Sequence, residues 1–261
     1  MDLGLKGKTA LVLAASGGLG RVIAVTLAKE GASLAIAGRN REALAKTVSE
    51  IEAAGAKAIS ESFDLADLEA TKAYVDRIGR ELGGVDILVN ISGGPPPTPA
   101  AGVSPQQWAK EFQSMVVSLI HITDLVVPGM RAKRWGRIIT CTSSGTIAPI
   151  LNLGISNTLR PALIGWSKTL SREVAPDGIT VNIAIPGRIA TSRLRQLDDA
   201  KAKREGKSVE DVEKASAAAI PIQRYGKPEE FANAVAFLAS EKAAYITGTM
   251  LRIDGGLIPS V

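Results

Sequence analysis

The chain has 261 residues, of which 46% are hydrophobic and 22% are charged, and its formal net charge is +5 at pH 7. This is the composition of a globular protein with enough apolar material for a sizeable core. No run of five or six like charges occurs, so the sequence gives little support to nucleic-acid binding.

Cys141 is the single cysteine, which excludes an internal disulfide and favours a reducing compartment. It ends the apolar run 137–141, where a buried structural thiol is favoured over a nucleophile. The N-terminus has no signal-peptide pattern, and no run of residues approaches the ~18 apolar residues of a membrane span. We therefore predict a soluble, cytoplasmic protein that binds neither membranes nor nucleic acid.

Short β-branched runs alternate with longer helical patterns along the whole chain. The predicted strands are Thr9–Leu13, Ser33–Ala37, Lys57–Ser62, Asp86–Asn90, Arg137–Cys141, Thr180–Ile185 and Thr249–Ile253. Such alternation implies right-handed βαβ units and a parallel sheet covered on both faces. The sequence predicts an α/β fold of Rossmann type, doubly wound, with about seven parallel strands and helices on both faces, in a single domain over residues 1–261.

The first strand runs into a glycine-rich loop, and a helix follows directly. Such glycines let the backbone approach a pyrophosphate, whose charge then lies at the helix N-terminus. The loop therefore predicts dinucleotide binding. Its candidate cofactor-binding residues are Ala14, Ser16, Gly18, Leu19 and Gly20.

Arg39 and Asn40 follow the second strand, about 20 residues past the glycines, where NAD-binding folds place a carboxylate on the ribose hydroxyls. A guanidinium there can instead grip a 2′-phosphate in bidentate fashion. The alternative is a solvated arginine that starts a helix over Arg39–Glu50. We favour the first interpretation, with both residues in the cofactor site and NADP(H) preferred over NAD(H).

Two segments interrupt the strand–helix rhythm. A proline-rich loop covers about residues 93–105, and a segment with two amphipathic helical patterns covers about residues 191–220. Both follow the carboxyl end of a strand, which is the edge where open α/β sheets bind ligands. Two solvated loops are the alternative, but the shared placement favours a substrate role, and we predict that the second segment is a mobile lid.

Together these motifs resemble the short-chain dehydrogenase/reductase family from about Leu5 to Gly256. The family's glycine motif falls on Leu13, Ala14, Gly18 and Gly20, with its first two residues substituted. The closing patterns 226–230 and 254–256 are typical of its 3-oxoacyl-carrier-protein-reductase-like branch. The resemblance implies further cofactor contacts at Asp64, Leu65, Asn90, Gly93, Pro186, Gly187, Ile189 and Thr191, the last of which reaches the nicotinamide amide in the family.

The family's catalytic Asn, Ser, Tyr and Lys align with Met115, Ser143, Ser156 and Arg160, so the serine alone is retained. A tyrosine hydroxyl can be tuned to donate a proton to a carbonyl, whereas Ser156 is far less acidic and shorter. Arg160 lies on the same helix face one turn on and keeps the positive charge. We predict Ser143, Ser156 and Arg160 as catalytic residues, with Arg160 also contacting the cofactor ribose.

The other candidate groups favour structural roles. Tyr74, Tyr225 and Tyr245 do not obviously replace the missing tyrosine, and His121 lies among apolar neighbours in a long helix, where packing is favoured over catalysis. No Cys, His or carboxylate spacing predicts a metal site.

Three functions stay open. The first is an NADP(H)-dependent oxidoreductase that acts on a carbonyl or alcohol, with Ser143 and Arg160 polarising the oxygen and water supplying the proton through Ser156. The second is a binding or regulatory protein that keeps the cofactor cleft without the chemistry. The third is an elimination or isomerisation in which Arg160 stabilises an enolate. We favour the first, because Ser–Arg preserves a polar, cationic pair at the family's spacing.

The resemblance also implies a homotetramer or homodimer that pairs through the helical segments 105–133 and 154–175. Their apolar side chains, in excess of what one covered face requires, suggest a second buried face. The side chains on which this argument depends are Leu159, Leu163, Trp166, Leu170, Val116, Val117 and Ile120.

Overall fold

The computed structural model describes residues 2–260 and has one parallel sheet at its centre. The strands are β1 (Thr9–Val12), β2 (Ser33–Gly38), β3 (Ala58–Ser62), β4 (Ile87–Asn90), β5 (Gly136–Cys141), β6 (Ile179–Pro186) and β7 (Met250–Ile253). They lie in the order β3-β2-β1-β4-β5-β6-β7. Each of the seven predicted strands is confirmed to within one residue at either end.

Helices cover both faces of the sheet. They are α1 (Gly18–Lys29), α2 (Arg41–Ala53), α3 (Leu68–Leu82), α4 (Pro105–Phe112), α5 (Ser118–Lys133), α6 (Gly154–Val174), α7 (Ser192–Glu205), α8 (Val209–Ala218) and α9 (Pro228–Ala239). A π-helical turn, Gln113–Val117, joins α4 to α5. Helices α1, α2 and α9 contribute to one apolar core, and α3, α5 and α6 contribute to the other, so the doubly wound fold is confirmed.

Side chains of the central strands alternate between the two cores. Ala10 and Val12 belong to the core that includes α1, and Leu11 belongs to the core that includes α6. All four residues of β1 are buried, as expected for a parallel strand covered on both faces. The strand order reverses between β1 and β4, and a crevice forms at that point beyond the carboxyl ends of the strands.

Both predicted interruptions lie at this edge. Apart from a single bridge between Thr98 and Leu153, the proline-rich loop is irregular over residues 91–104. The segment after β6 contains α7 and α8 and has the two helices that its patterns predicted.

The helical stretch Pro105–Lys133 is long and apolar enough to cross a membrane by length and composition, with a mean hydropathy of 1.4 over its best window. Charged and polar residues interrupt the stretch, so it is not the run of ~18 apolar residues whose absence the sequence predicts. Half of that window is buried within the fold, and a buried core helix meets the same criterion. The finding therefore does not favour a membrane location, and the cytoplasmic location stays a prediction.

The apolar excess on the pairing helices is largely covered by the chain itself. Leu159, Leu163 and Val116 are buried in the core, and Trp166 and Ile120 pack against it half-buried. The buried side chains therefore contribute nothing to a second buried face, whereas the half-buried ones keep part of their apolar surface exposed and leave that argument a prediction. Assembly into two or four copies stays a prediction that depends on the family resemblance.

Candidate active site

A cavity of about 770 Å³ opens at the carboxyl edge of the sheet, within the size range of small-molecule sites. Its walls are the glycine loop, the proline-rich loop, the end of β5, the start of α6 and the first turns of α7. Twelve of the predicted site residues line it: Ala14, Gly18, Leu19, Gly20, Gly93, Ser143, Ser156, Arg160, Pro186, Gly187, Ile189 and Thr191.

The glycine loop has the geometry that a pyrophosphate requires. A Cβ on Gly20 would stand 2.5 Å from the carbonyl oxygen of Ala14, so only glycine allows this close approach of helix to strand. No atom lies within 4 Å of a Cβ built on Gly17 or Gly18, which leaves their backbone facing open space. The N-cap residue of α1, Gly17, offers no side-chain cap, so the first N–H groups of the helix are available to an anion. The residues present therefore fit a dinucleotide.

Arg39, Asn40 and Ser16 lie at the neighbouring end of the cleft without lining the cavity itself. Arg39 is exposed, and its Nη2 lies 3.8 Å from the position that a Cβ on Gly93 would take. Asn40 caps α2, because its side chain accepts a hydrogen bond from the amide of Ala43 at 3.0 Å. Helix α2 begins at Arg41 rather than Arg39, and Arg39 is exposed just before it, so the solvated arginine of the alternative interpretation stays open.

The remaining predicted cofactor residues also lie outside the cavity lining. The Asp64 carboxylate is exposed and accepts from the amide of Ala66 at 3.0 Å, and Leu65 packs half-buried against the core. Asn90 is fully buried, and its Nδ2 donates to Thr123 Oγ1 at 3.0 Å. The Asn90 side chain therefore faces α5 instead of the cavity.

Ser156 and Arg160 form a hydrogen-bonded pair one helical turn apart on α6, as their spacing predicted. Arg160 Nε donates to Ser156 Oγ at 3.2 Å, and Arg160 Nη2 donates to the carbonyl oxygen of Gly93 at 3.1 Å. Both side chains are buried. Burial, together with the charge of Arg193, lowers the pKa of Arg160 to about 10, so the guanidinium stays protonated at neutral pH.

Ser143 lies where β5 ends and the chain turns into a short 3₁₀ helix, Ser144–Thr146. Its Oγ accepts from the amide of Gly145 at 3.1 Å, and its own proton has no acceptor among residues 2–260. Asn157, next to Ser156 on α6, bonds both backbone groups of Ile150 and holds the loop after β5 against this helix. The serine can therefore donate its proton to an oxygen in the cavity.

Arg193 is a second guanidinium in the cavity that the predicted site does not include. It enters from the first turn of α7, and its Nη2 donates to the carbonyl oxygen of Pro95 at 2.7 Å. Burial lowers the pKa of Arg193. A Cβ on Gly94 would stand 2.9 Å from this guanidinium, so the glycine leaves room for it.

Arg188 differs from the other cavity arginines because a carboxylate neutralises it. Its Nη1 bonds the nearly inaccessible carboxylate of Asp198 at 2.8 Å, and the hydroxyl of Tyr225 donates to the same carboxylate at 2.9 Å. This cluster ties α7 to the chain after β6 and to the segment before α9. Thr191 contributes by capping α7, where its hydroxyl accepts from the amide of Leu194.

The three tyrosines lie elsewhere. Tyr74 is buried on α3 and donates to the carbonyl oxygens of Ile36 and Ile59, Tyr225 binds Asp198, and Tyr245 is exposed. In the part of the chain that the structure describes, none of them lines the cavity.

The remaining candidate groups have structural surroundings. Met115 lies buried in the π-helical turn, within the apolar core. Cys141 is buried, and burial raises its pKa to about 12, so it is a thiol at neutral pH. Among residues 2–260, no group of three or more His, Cys, Asp or Glu side chains is placed to hold a metal ion.

Comparison with known proteins identifies reductases as relatives of this chain. The family model described as enoyl-(acyl carrier protein) reductase matches residues 13–258. The chain is 37% identical over 257 residues to the 3-oxoacyl-[acyl-carrier-protein] reductase FabG of Escherichia coli K12, covering 98% of this chain and 99% of the relative.

Solved structures with the same fold include reductases that use NADPH. The L-sorbose reductase of Gluconobacter frateurii, complexed with NADPH and L-sorbose, is 32% identical over the full length of both chains, with a TM-score of 0.94. YwfH, an NADPH-dependent reductase involved in bacilysin biosynthesis, is 32% identical with a TM-score of 0.93, covering 97% of this chain and 99% of that one. The chain therefore belongs to the short-chain dehydrogenase/reductase family, in the branch that contains the 3-oxoacyl-[acyl-carrier-protein] reductases.

Proposed function

We propose that this protein is an NADP(H)-dependent oxidoreductase that acts on the carbonyl or alcohol group of a small molecule through Ser143, Ser156 and Arg160. The observation that carries the proposal is the buried Arg160–Ser156 hydrogen bond, which lies in the same cavity as the free hydroxyl proton of Ser143. Burying a cation without an anionic partner is unfavourable, so the arginine at the cavity wall is a candidate for stabilising negative charge that develops in the cavity.

The cofactor part of the proposal assigns each end of a dinucleotide to residues that fit it. The uncapped N-terminus of α1 and the open backbone of Gly17 and Gly18 receive the pyrophosphate. Arg39 is exposed beside this end of the cleft and would form bidentate hydrogen bonds with a 2′-phosphate. Ile189 and Thr191 line the same cavity and would border the nicotinamide. When bound, this cofactor supplies or accepts the hydride.

The residues of the site then handle the substrate oxygen. Ser143 donates to that oxygen, because its hydroxyl proton has no acceptor among residues 2–260 while its oxygen accepts from the amide of Gly145. Arg160 keeps its positive charge next to the reacting group and stabilises the negative charge that develops there. Its Nε donates to Ser156 Oγ, which turns the serine proton away from the guanidinium and toward the cavity, where a water can supply the final proton.

The absorbance of NADPH, followed with a panel of ketones and aldehydes, tests the proposal. Oxidation of NADPH that depends on the carbonyl and disappears in Arg160→Ala is the expected result. Tight NADPH binding with no turnover of any carbonyl would favour a binding or regulatory protein. Consumption of substrate without a change in absorbance would favour an elimination or isomerisation.

A further inference from the structure

Two guanidinium groups enter the cavity from different helices, and consecutive parts of the proline-rich loop hold them in place. Arg160 comes from α6 and donates to the carbonyl oxygen of Gly93, and Arg193 comes from α7 and donates to that of Pro95. Neither forms an ion pair with a carboxylate in the described part of the chain, unlike their neighbour Arg188. The two positive charges are therefore not neutralised by the protein.

This arrangement is costly in the absence of a ligand. Burying a cation without an anionic partner is unfavourable, and two cations close together repel each other. The lowered pKa of Arg160 reflects both effects, since burial and the charge of Arg193 each oppose its protonated form. Some arginines at the surface are paired, as with Arg21 and Glu50, and the buried Arg137 is held by three carbonyl oxygens. An anion bound in the cavity would offset the unfavourable free energy of burying the two cations close together.

Donor groups for such an anion are available. Arg160 uses Nε and Nη2, and Arg193 uses Nη2, which leaves Nη1 of both, and Nε of Arg193, without a partner among residues 2–260. Paired N–H groups of a guanidinium match the two oxygens of a carboxylate. Ser156 is also smaller than the tyrosine of the family pattern, so space is left beside Arg160.

We infer that the substrate carries a carboxylate that Arg160 and Arg193 bind together, so that the enzyme acts on an oxo acid or a hydroxy acid. This inference rests on the proposed function for the reaction but not for the binding site. A cofactor phosphate is the other possible source of anionic charge. The glycine loop, on a different wall, already provides a site for the pyrophosphate, whereas Arg160 contacts Ser156, which the proposed function places beside the reacting group.

Calorimetry with the protein saturated with NADP⁺ measures binding without turnover. The probes are pyruvate, acetoacetate and benzoylformate, each compared with its uncharged methyl ester. We expect at least one acid to bind about tenfold or more tightly than its ester, since charge-assisted hydrogen bonds are about twice as strong as neutral ones. The inference is overturned if no acid binds more tightly than its ester.

Substitutions on α7 distinguish binding of the carboxylate at this site from a general effect of the protein's positive charge. Arg193→Gln should weaken binding of the acid about tenfold or more and leave the ester unchanged, and Arg193→Lys should restore part of the loss. Arg195→Gln is the matched control, because Arg195 is exposed on the same helix and lies outside the cavity lining. Equal effects of the Arg193→Gln and Arg195→Gln changes would contradict the inference.

The same compounds in an NADPH oxidation assay distinguish the two proposals. Reduction of esters and acids with equal efficiency would overturn the carboxylate site and leave the oxidoreductase standing. Selective binding of acids without NADPH oxidation would support the carboxylate site and count against the proposed reaction. Acid binding to the cofactor-free protein that disappears on saturation with NADP⁺ would assign the two arginines to the cofactor and overturn the inference.

Discussion

Arg160 donates a hydrogen bond to Ser156 one turn earlier on α6, and both side chains are buried at the wall of the cavity. By the alignment that we propose from the sequence, the family pattern has a lysine and a tyrosine at these two positions. The pair preserves a hydroxyl and a cation in contact, but it replaces an acidic phenol by an alcohol of much lower acidity. This exchange determines what the site can do, and it leads to the predictions below.

Reduction of an ordinary 3-oxoacyl substrate should be weaker by orders of magnitude than in relatives that have the tyrosine. A positioned general acid contributes about 10²–10⁴-fold, and Ser156 cannot supply it directly. NADPH oxidation with 3-oxoacyl thioesters, measured beside a tyrosine-containing relative, checks this. Turnover equal to that of the relative would show that a serine in place of the tyrosine does not slow the reaction.

The rate should fall as the pH rises through about 10. Arg160 acts in its charged form, and its pKa of about 10 means that the charge is lost above that pH. In that range kcat/KM should fall about tenfold per pH unit. In Arg160→Lys the fall should begin at a lower pH, because burial also lowers the pKa of a lysine, whose ordinary value is about 10.4.

Circular dichroism over the same pH range is the control for this profile, because it shows whether the protein is still folded where the rate falls. An identical profile for the Arg160→Lys variant and the unmodified protein would assign the pH dependence to another group.

NADPH should bind more tightly than NADH. Arg39 stands where NAD-binding relatives place a carboxylate, and Arg39→Ala should reduce the preference by about 1–3 kcal/mol. Calorimetric titration of both cofactors measures it. Arg80→Ala, an exposed arginine on α3, is the control and should leave the preference unchanged. Equal affinities for the two cofactors in the unmodified protein would show that Arg39 does not select NADPH over NADH.

The lid segment, residues 191–220, should be cut first by proteases in the free protein and should be protected when cofactor and substrate are bound. Asp198 anchors this segment through Arg188 and Tyr225, and its carboxylate is nearly inaccessible. Removal of one partner of such a buried pair costs about 3–5 kcal/mol. Asp198→Ala should therefore speed cleavage in α7 and weaken the protection by ligands. Equal cleavage of this segment with and without ligands would argue against gating.

Much of the architecture could be predicted because buried parallel strands have a simple sequence pattern. Short β-branched runs predict all seven strands, and the charged residue Arg137 at the start of the fifth run does not change that prediction. In the structure that arginine is buried, and its guanidinium donates to the carbonyl oxygens of Gly136, Gly178 and Ser240. The Ser156–Arg160 contact was also predictable, because residues four apart on a helix share a face.

The sequence makes Arg193, like Arg188, a candidate to meet a small anion, but the contact that holds it in the cavity was not predictable. Arg193 stands in a segment with many basic and acidic residues, and nothing in its local pattern separates it from Arg195. Its position depends on the proline-rich loop, a hundred residues earlier, which passes over α7 so that Pro95 can accept its hydrogen bond. The orientation of Asn90 toward Thr123 likewise follows from the packing of α5 against β4 and is not encoded locally.

The central claim is that Arg160 and Ser156 form a working site. Its most direct test is the rate of NADPH oxidation in Arg160→Ala and in the double variant Ser156→Tyr/Arg160→Lys, measured with whichever carbonyl the unmodified protein reduces best. We predict that Arg160→Ala loses about 10² or more of kcat/KM, because the charge that stabilises the oxyanion is gone. We predict no gain in the double variant, because the tyrosine ring refills the space beside the cation. A double variant that gains general ketoreductase activity, together with an unchanged rate in Arg160→Ala, would contradict the claim and identify the site as one that has lost its chemistry.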